Sequence, residues 1–144
     1  MLFGTHCLKT WSVTQQHVAL SSGEAEYYGM VRGTSQALGA RAMLKDFGIE
    51  MNIETMVDAS AAVGIACRRG LGKVRHIELD QLWLQSQVAR GRVRVFKVSG
   101  EENIADSLTK HSTTERIEQT MRGTAHMVVS GRHPLMPKLP IPLQ

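Results

Sequence analysis

Residues 8–14 (LKTWSVT) interleave β-branched and aromatic side chains with polar ones, a pattern that predicts a short strand entering a core. Ser21-Ser22-Gly23-Glu24 then has the Ser-x-x-Glu form of a capping box. The proline-free stretch after it, rich in Ala, Leu and Met, predicts a long helix over 23–47 with Gly48 as its C-terminal cap. Gly29, Gly33 and Gly39 weaken the propensity of that helix and point to one face packed closely on a neighbouring backbone. Ile53, Thr55 and Val57 alternate with Glu54, Met56 and Asp58, the period of a strand that ends at Asp58. A small-residue helix over 59–67 follows. A glycine-rich basic turn (68–73) leads to a second helix over about 77–88, with Leu79, Leu82, Trp83 and Val88 available for burial. Residues 92–98 (RVRVFKV) alternate as a strand through Val95, and Asn103 is placed to cap a final helix carrying Ile104, Asp106, Leu108 and Lys110. Strand and helix segments in this order predict an α/β fold with helices packed on a sheet.

From Gly123 onward the chain holds all four prolines and no sustained period. The expected organisation is therefore one domain over 1–122 and a Pro-rich tail over 123–144 with little fixed structure. A chain of 144 residues, 42% of them hydrophobic, suffices for one modest core and excludes two sizeable domains. Cys7 and Cys67 lie far apart, with no CxxC pair and no Cys/His ligand spacing, which argues against a disulfide scaffold or a zinc module and for an intracellular setting. The sequence has no apolar run of membrane-spanning length and no signal-peptide core.

The net charge of +4 is unevenly spread. Residues 1–65 carry four Lys/Arg against six Asp/Glu, 66–97 carry eight against two, and 98–144 carry five of each. The basic excess is thus local, and Arg68, Arg69, Lys73, Arg75, Arg92 and Arg94 are candidates to face nucleic-acid phosphates. A solvated surface with a few ion pairs is the plainer alternative.

Three acids fall where strands end or helices begin: Glu26, Asp58 and Asp106. Ligands of open α/β sheets gather at the carboxyl ends of strands, and hard divalent cations take such oxygens. Each acid also has a local explanation. Glu26 complements a helix dipole, Asp58 caps the helix after it, and Asp106 pairs with Lys110 at i, i+4.

The residues around these acids resemble the ribonuclease H domain that closes the Pol polyprotein of copia-type retrotransposons. Leu20-Ser21-Ser22-Gly23-Glu24-Ala25-Glu26-Tyr27 is similar to the family's LSSxEAEY signature, and Asp58-Ala59-Ser60-Ala61-Ala62 to its strand-ending Asp and small-residue helix. Arg75-His76-Ile77 stands at its Lys-His-Ile block, and Ala105-Asp106-Ser107-Leu108-Thr109-Lys110 at its ADxxTK ending. The blocks span residues 8–112 in the family's order. The resemblance implies a ribonuclease H-like mixed sheet flanked by helices. It implies hydrolysis of the RNA strand of an RNA–DNA hybrid with two Mg2+ (or Mn2+) ions, and a reverse transcriptase domain of the same polyprotein as a partner. It also implies Glu26, Asp58 and Asp106 as catalytic metal ligands, Glu24 as a capping acid and His76 as an accessory group. For His76 a local hydrogen bond is the competing role.

The sequence departs from the family in one respect that bears on chemistry. The family site uses a further Asp on the first strand, whereas no acid precedes Glu24 here. Residues 3–15 look like the family's third strand, so the first strands are expected to be lacking, leaving sheet edges unpaired. Gly23 replaces the usual Thr, and the family's second histidine falls at Leu82. The expectation is a ribonuclease H-like domain inactive as this isolated chain. The alternatives are a remnant that binds nucleic acid or protein without chemistry, and a nuclease active only when an upstream segment or partner completes it.

Overall fold

The structure is a computed structural model that describes residues 1–74, 76–127, 130–131 and 135. Helix α1 runs Ser22–Asp46. Ser21 caps it from extended backbone, its Oγ accepting from the Glu24 N–H at 3.3 Å. Glu24 Oε2 in turn accepts from the Leu20 N–H at 2.9 Å, so the predicted box closes one residue upstream of the cap. At the other end Gly48 turns left-handed (φ +78) and donates to the Lys45 carbonyl, while Ile49 donates to Leu44. This is the double hydrogen bond of a Schellman cap, which a residue bearing a Cβ forms only under strain.

The main sheet pairs β3 (Ile53–Val57) with β4 (Val93–Lys97) in parallel, from Ile53 opposite Val93 to Val57 opposite Lys97. Parallel neighbours need a crossover, and helices α2 (Ser60–Cys67) and α3 (Trp83–Ala89) supply it, α3 continuing directly from a 3-10 turn over Leu79–Leu82. Ile53, Val57 and Val93 are buried on the inner face with Tyr27, Met30 and Val31 of α1, Ala62 and Ile65 of α2, and Leu84 of α3. Thr34 of α1 and Thr55 of β3 join their hydroxyls across this layer at 3.0 Å, which satisfies both. Alternate residues Glu54, Met56, Arg94 and Phe96 are exposed on the outer face. Leu84, which is fully buried, is the anchor of α3; Leu82, Trp83 and Val88 are partly buried around it, and the Leu79 side chain lies outside the described residues. After β4 a 3-10 turn covers Ile104–Leu108, capped by Asn103 Oδ1 on the Ala105 N–H, and helix α4 runs Thr114–Gly123. Most of the tail expected to be unstructured lies outside the described residues.

The fold is mixed α/β with small sheets, as the order of segments predicts. Three expectations need correction here. Residues 8–14 are not a strand: the N-terminal pairing is a short antiparallel hairpin, β1 (Leu2–Phe3) with β2 (His6–Cys7), and the segment after it has no ladder partner. Alternation supplies a strand's side-chain pattern, but its backbone groups need a neighbouring edge. Instead the segment approaches α1, with Lys9 Nζ donating to Gln36 Oε1 at 2.9 Å and the His17 ring 5.3 Å from that of Tyr28. Second, Gly29, Gly33 and Gly39 meet nothing that a Cβ would touch. The close approach is at Gly23, where a Cβ would stand 2.6 Å from Ala61 Cβ, so the Thr of the family motif does not fit this α1–α2 contact unless something shifts. Third, the final helix expected after Asn103 is a 3-10 turn that stops before Lys110. Helix α4, which the sequence reading does not include, follows it separately, capped by Thr113 Oγ1 on the Arg116 N–H.

Candidate functional site

Glu24, not Glu26, is the acid of the first turn of α1. Two residues apart on a helix is a rotation of about 200°, so the two carboxylates leave on nearly opposite sides. Glu24 points inward and is 3% exposed. There Oε2 accepts from the Leu20 N–H and from His76 Nε2, the latter at 2.7 Å. The histidine bond holds the Glu24 carboxyl below the ordinary glutamate range, with burial opposing it and the Leu20 and Ser21 contacts helping. His76 is therefore not a locally bonded helix-start residue. It reaches across the fold and fixes the end of the basic loop to α1.

Glu26 leaves on the other side. Its carboxyl is pushed above the ordinary range, first by burial, then by the charge of Asp58 and then by that of Asp106. Three separate elements thus deliver these acids to one neighbourhood: the second turn of α1, the carboxyl end of β3 and the 3-10 turn after β4. Asp58 immediately follows β3, as expected, but does not cap α2, whose N-cap position is Ala59 with no side-chain bond. It accepts instead from Asn103 Nδ2 at 3.3 Å, so the residue that caps the Asp106 turn also holds Asp58. Asp106 makes the i, i+4 pair with Lys110 at 2.7 Å. That bond is the main reason the Lys110 ammonium is held above its ordinary pKa; burial opposes, and the charges of Asp106, Asp58 and Glu26 reinforce it.

Sharing a neighbourhood is less than forming a cage. Charges interact over about 8–10 Å in salt solution, whereas Mg2+ needs oxygens at about 2.0–2.1 Å. Among the described residues no three His, Cys, Asp or Glu side chains converge to hold one metal ion. The cation that touches Asp106 is Lys110. Among the described residues Glu26, Asp58 and Asp106 thus do not form a three-ligand cage by themselves.

The basic candidates divide by what they touch. Arg68 donates to the Leu71 carbonyl at 2.6 Å, with its guanidinium against Gly72, which turns left-handed (φ +58). Arg94 pairs with Glu54 across the strands at 2.5 Å and lies 5.9 Å from the centre of the Phe96 ring. Arg92 accepts from Arg41 through its carbonyl, which leaves its exposed guanidinium uninvolved in that bond. Arg69 and Lys73 are exposed, and Arg75 lies outside the described residues. The loop itself is fixed by Gln85 of α3, which is 7% exposed. Its Oε1 accepts from the Gly70 N–H, and its Nε2 donates to the Ile65 and Gly70 carbonyls. Nothing in the linear sequence marks that glutamine; its cue is a polar residue beside Leu84 on the inward side of α3.

The comparisons with known proteins bear on what such a set of blocks belongs to. Over 110 residues, 74% of this chain, it is 29% identical to the retrovirus-related Pol polyprotein from transposon RE2 of Arabidopsis thaliana. Its homologues are transposon Pol polyproteins. The corresponding protein from transposon RE1 of the same plant is 28% identical over the same length, and that from transposon TNT 1-94 of Nicotiana tabacum is 28% identical over 69% of the chain. The matched regions make up 8% of each polyprotein. No family model and no solved structure matches. Among the described residues no helix is long and apolar enough to cross a membrane.

Proposed function

We propose that this chain is a ribonuclease H-like segment of a transposon Pol polyprotein that binds an RNA–DNA hybrid and does not hydrolyse it alone. The observation that carries the reading is the joint effect of Asp58 and Asp106 on Glu26. Asp58 and Asp106, from sequence blocks more than 30 residues away from that of Glu26 and from each other, both act on Glu26 near the carboxyl end of β3, the kind of place where open α/β sheets bind ligands. Each of the three has a structural reason to be where it is: Tyr27 and its neighbours seat the turn of α1 that carries Glu26, Asn103 holds Asp58, and Lys110 holds Asp106.

No hydrolytic step is assigned to the three acids by themselves, because they do not form an ion cage and because no acid precedes Glu24. In this reading the further carboxylate that the family resemblance calls for comes from a segment outside this sequence, such as an upstream part of the polyprotein, and Mg2+ or Mn2+ binding depends on it. The reverse transcriptase domain of the same polyprotein is the natural source of such a segment and the natural neighbour. Binding without chemistry is the second reading, favoured by the exposed basic residues of the 66–97 segment.

The test is a labelled RNA–DNA hybrid incubated with the purified chain and Mg2+ or Mn2+. The expected result is no cleavage above the protein-free control. A chain extended upstream by polyprotein sequence that carries an Asp is expected to cut, and to lose that cutting in Asp58→Asn. Metal-dependent cleavage by the 144-residue chain, abolished in Asp58→Asn, would overturn the statement that it does not hydrolyse alone.

A further inference from the structure

The basic segment holds a groove of about 360 Å³ between the glycine turn and α3, lined by Arg69, Gly70, Gln85, Ser86, Ala89 and Arg90. We infer that this groove is a phosphate subsite, in which Arg69 and Arg90 grip one nucleic-acid phosphodiester from two sides. The inference rests on the nucleic-acid reading above and assigns it a place.

Four observations carry it. First, Arg69 and Arg90 are exposed and, among the described residues, neither side chain has a hydrogen bond or an acidic partner, unlike Arg68 and Arg94. A guanidinium left with all five donors free on the lining of a concavity suits a tetrahedral oxyanion, which it contacts in a bidentate fork. Second, the groove is built rather than incidental. Buried Gln85 ties the Gly70 backbone, beside Arg69, to the carboxyl end of α2, and does so from α3, whose C-terminal cap is Arg90. The backbone beside Arg69 is therefore held to α3 by a three-bond clamp in the interior, which reduces the ordering left to occur on binding. Third, Ser86 adds a hydroxyl on the same lining, exposed and without a partner among the described residues. Fourth, the field has the right sign. The carboxyl end of α3 opposes an anion with at most about half a negative charge, and α3 is short, whereas the two guanidiniums bring two full positive charges. A phosphodiester is favoured over a carboxylate because it offers oxygens on opposite faces, one for each wall. The contact carries no base sequence, as expected of a backbone grip.

The test is fluorescence anisotropy of a labelled RNA–DNA hybrid against salt, with the full chain. The wild type is expected to bind, with log affinity falling linearly with log salt. Arg69→Ala/Arg90→Ala should flatten that slope by about 0.9, the contribution of the one phosphate the pair neutralises. Arg69→Lys/Arg90→Lys should keep the slope and lose affinity through the missing fork. Arg122→Ala, which removes a charge paired with Glu118 on α4, serves as the charge control and should match the wild type. Binding by the wild type with the Arg69→Ala/Arg90→Ala slope equal to that of Arg122→Ala would overturn the groove and leave the nucleic-acid reading intact. No binding by the wild type would overturn both.

Discussion

Tyr27→Ala should lower the unfolding free energy by about 3–5 kcal/mol, read as a fall in the denaturant midpoint at unchanged slope. Tyr27 is fully buried, and its hydroxyl donates to the Gln81 carbonyl at 2.7 Å. Burial pushes the phenol up to about 12, with Arg68 opposing and Tyr28 adding slightly, so it stays a neutral donor throughout the ordinary pH range. The ring fills the space between α1 and the turn leading into α3, and its removal leaves a cavity as well as a lost hydrogen bond. Tyr27→Phe separates the two: it keeps the packing and should cost about 1 kcal/mol. The residue matters to the site because it is adjacent to Glu26 and fixes the rotation of α1 about its axis. A Tyr27→Ala variant as stable as the wild type would mean that α1 is not seated as described.

Glu24→Ala should cost about 2–3 kcal/mol, because the Leu20 N–H and His76 both lose a charged acceptor at a nearly closed site. Half-exposed His76 recovers water, which keeps the loss below that of a fully buried pair. The pH dependence has a definite sign. The folded-state pKa of Glu24 lies below its unfolded value, so its contribution is complete above the unfolded value and is lost as pH falls through the folded one. Glu24→Gln should therefore flatten the acid limb of the stability curve, with little further difference from the wild type once Glu24 is protonated. A wild-type and Glu24→Gln difference that is constant across the acid range would contradict this. Glu26 has the opposite sign: its raised pKa makes the protonated form the better tolerated one, so stability falls as pH rises through that value.

Much of this architecture is legible in the chain because it is local. Ser21 and Glu24 announce the start of α1, Gly48 its end, and the alternation of Ile53, Thr55 and Val57 a strand that stops at Asp58. These are decided by hydrogen bonds and side-chain periods within a few residues. What fails is decided at a distance. Residues 8–14 have a strand's alternation and no partner edge. Which glycine of α1 meets a neighbour depends on where α2 lands, and it lands on Gly23 rather than on Gly29, Gly33 or Gly39. His76 finds Glu24 across 52 residues, and Gln85 finds Gly70 and Ile65; neither bond leaves a mark in spacing. Helix α4 is a different omission, since Thr113 with Ile117 and Met121 at i, i+4 is a local signal available in the sequence. At the acidic site the motifs pick out Asp58 and Asp106, both of which act on Glu26, and the i, i+4 spacing identifies Lys110 as the partner of Asp106. The bond from Asn103 to Asp58 comes from tertiary structure alone.

Whether Glu26, Asp58 and Asp106 share one neighbourhood is decided by carboxyl-carbon NMR, titrating Glu26 in the wild type, in Asp58→Asn and in Asp106→Asn. The wild-type midpoint is expected above the ordinary glutamate value. Each substitution should move it part of the way back, Asp58→Asn further than Asp106→Asn, with burial holding the remainder. A wild-type midpoint at the ordinary value, or one that neither substitution moves, would contradict a shared neighbourhood.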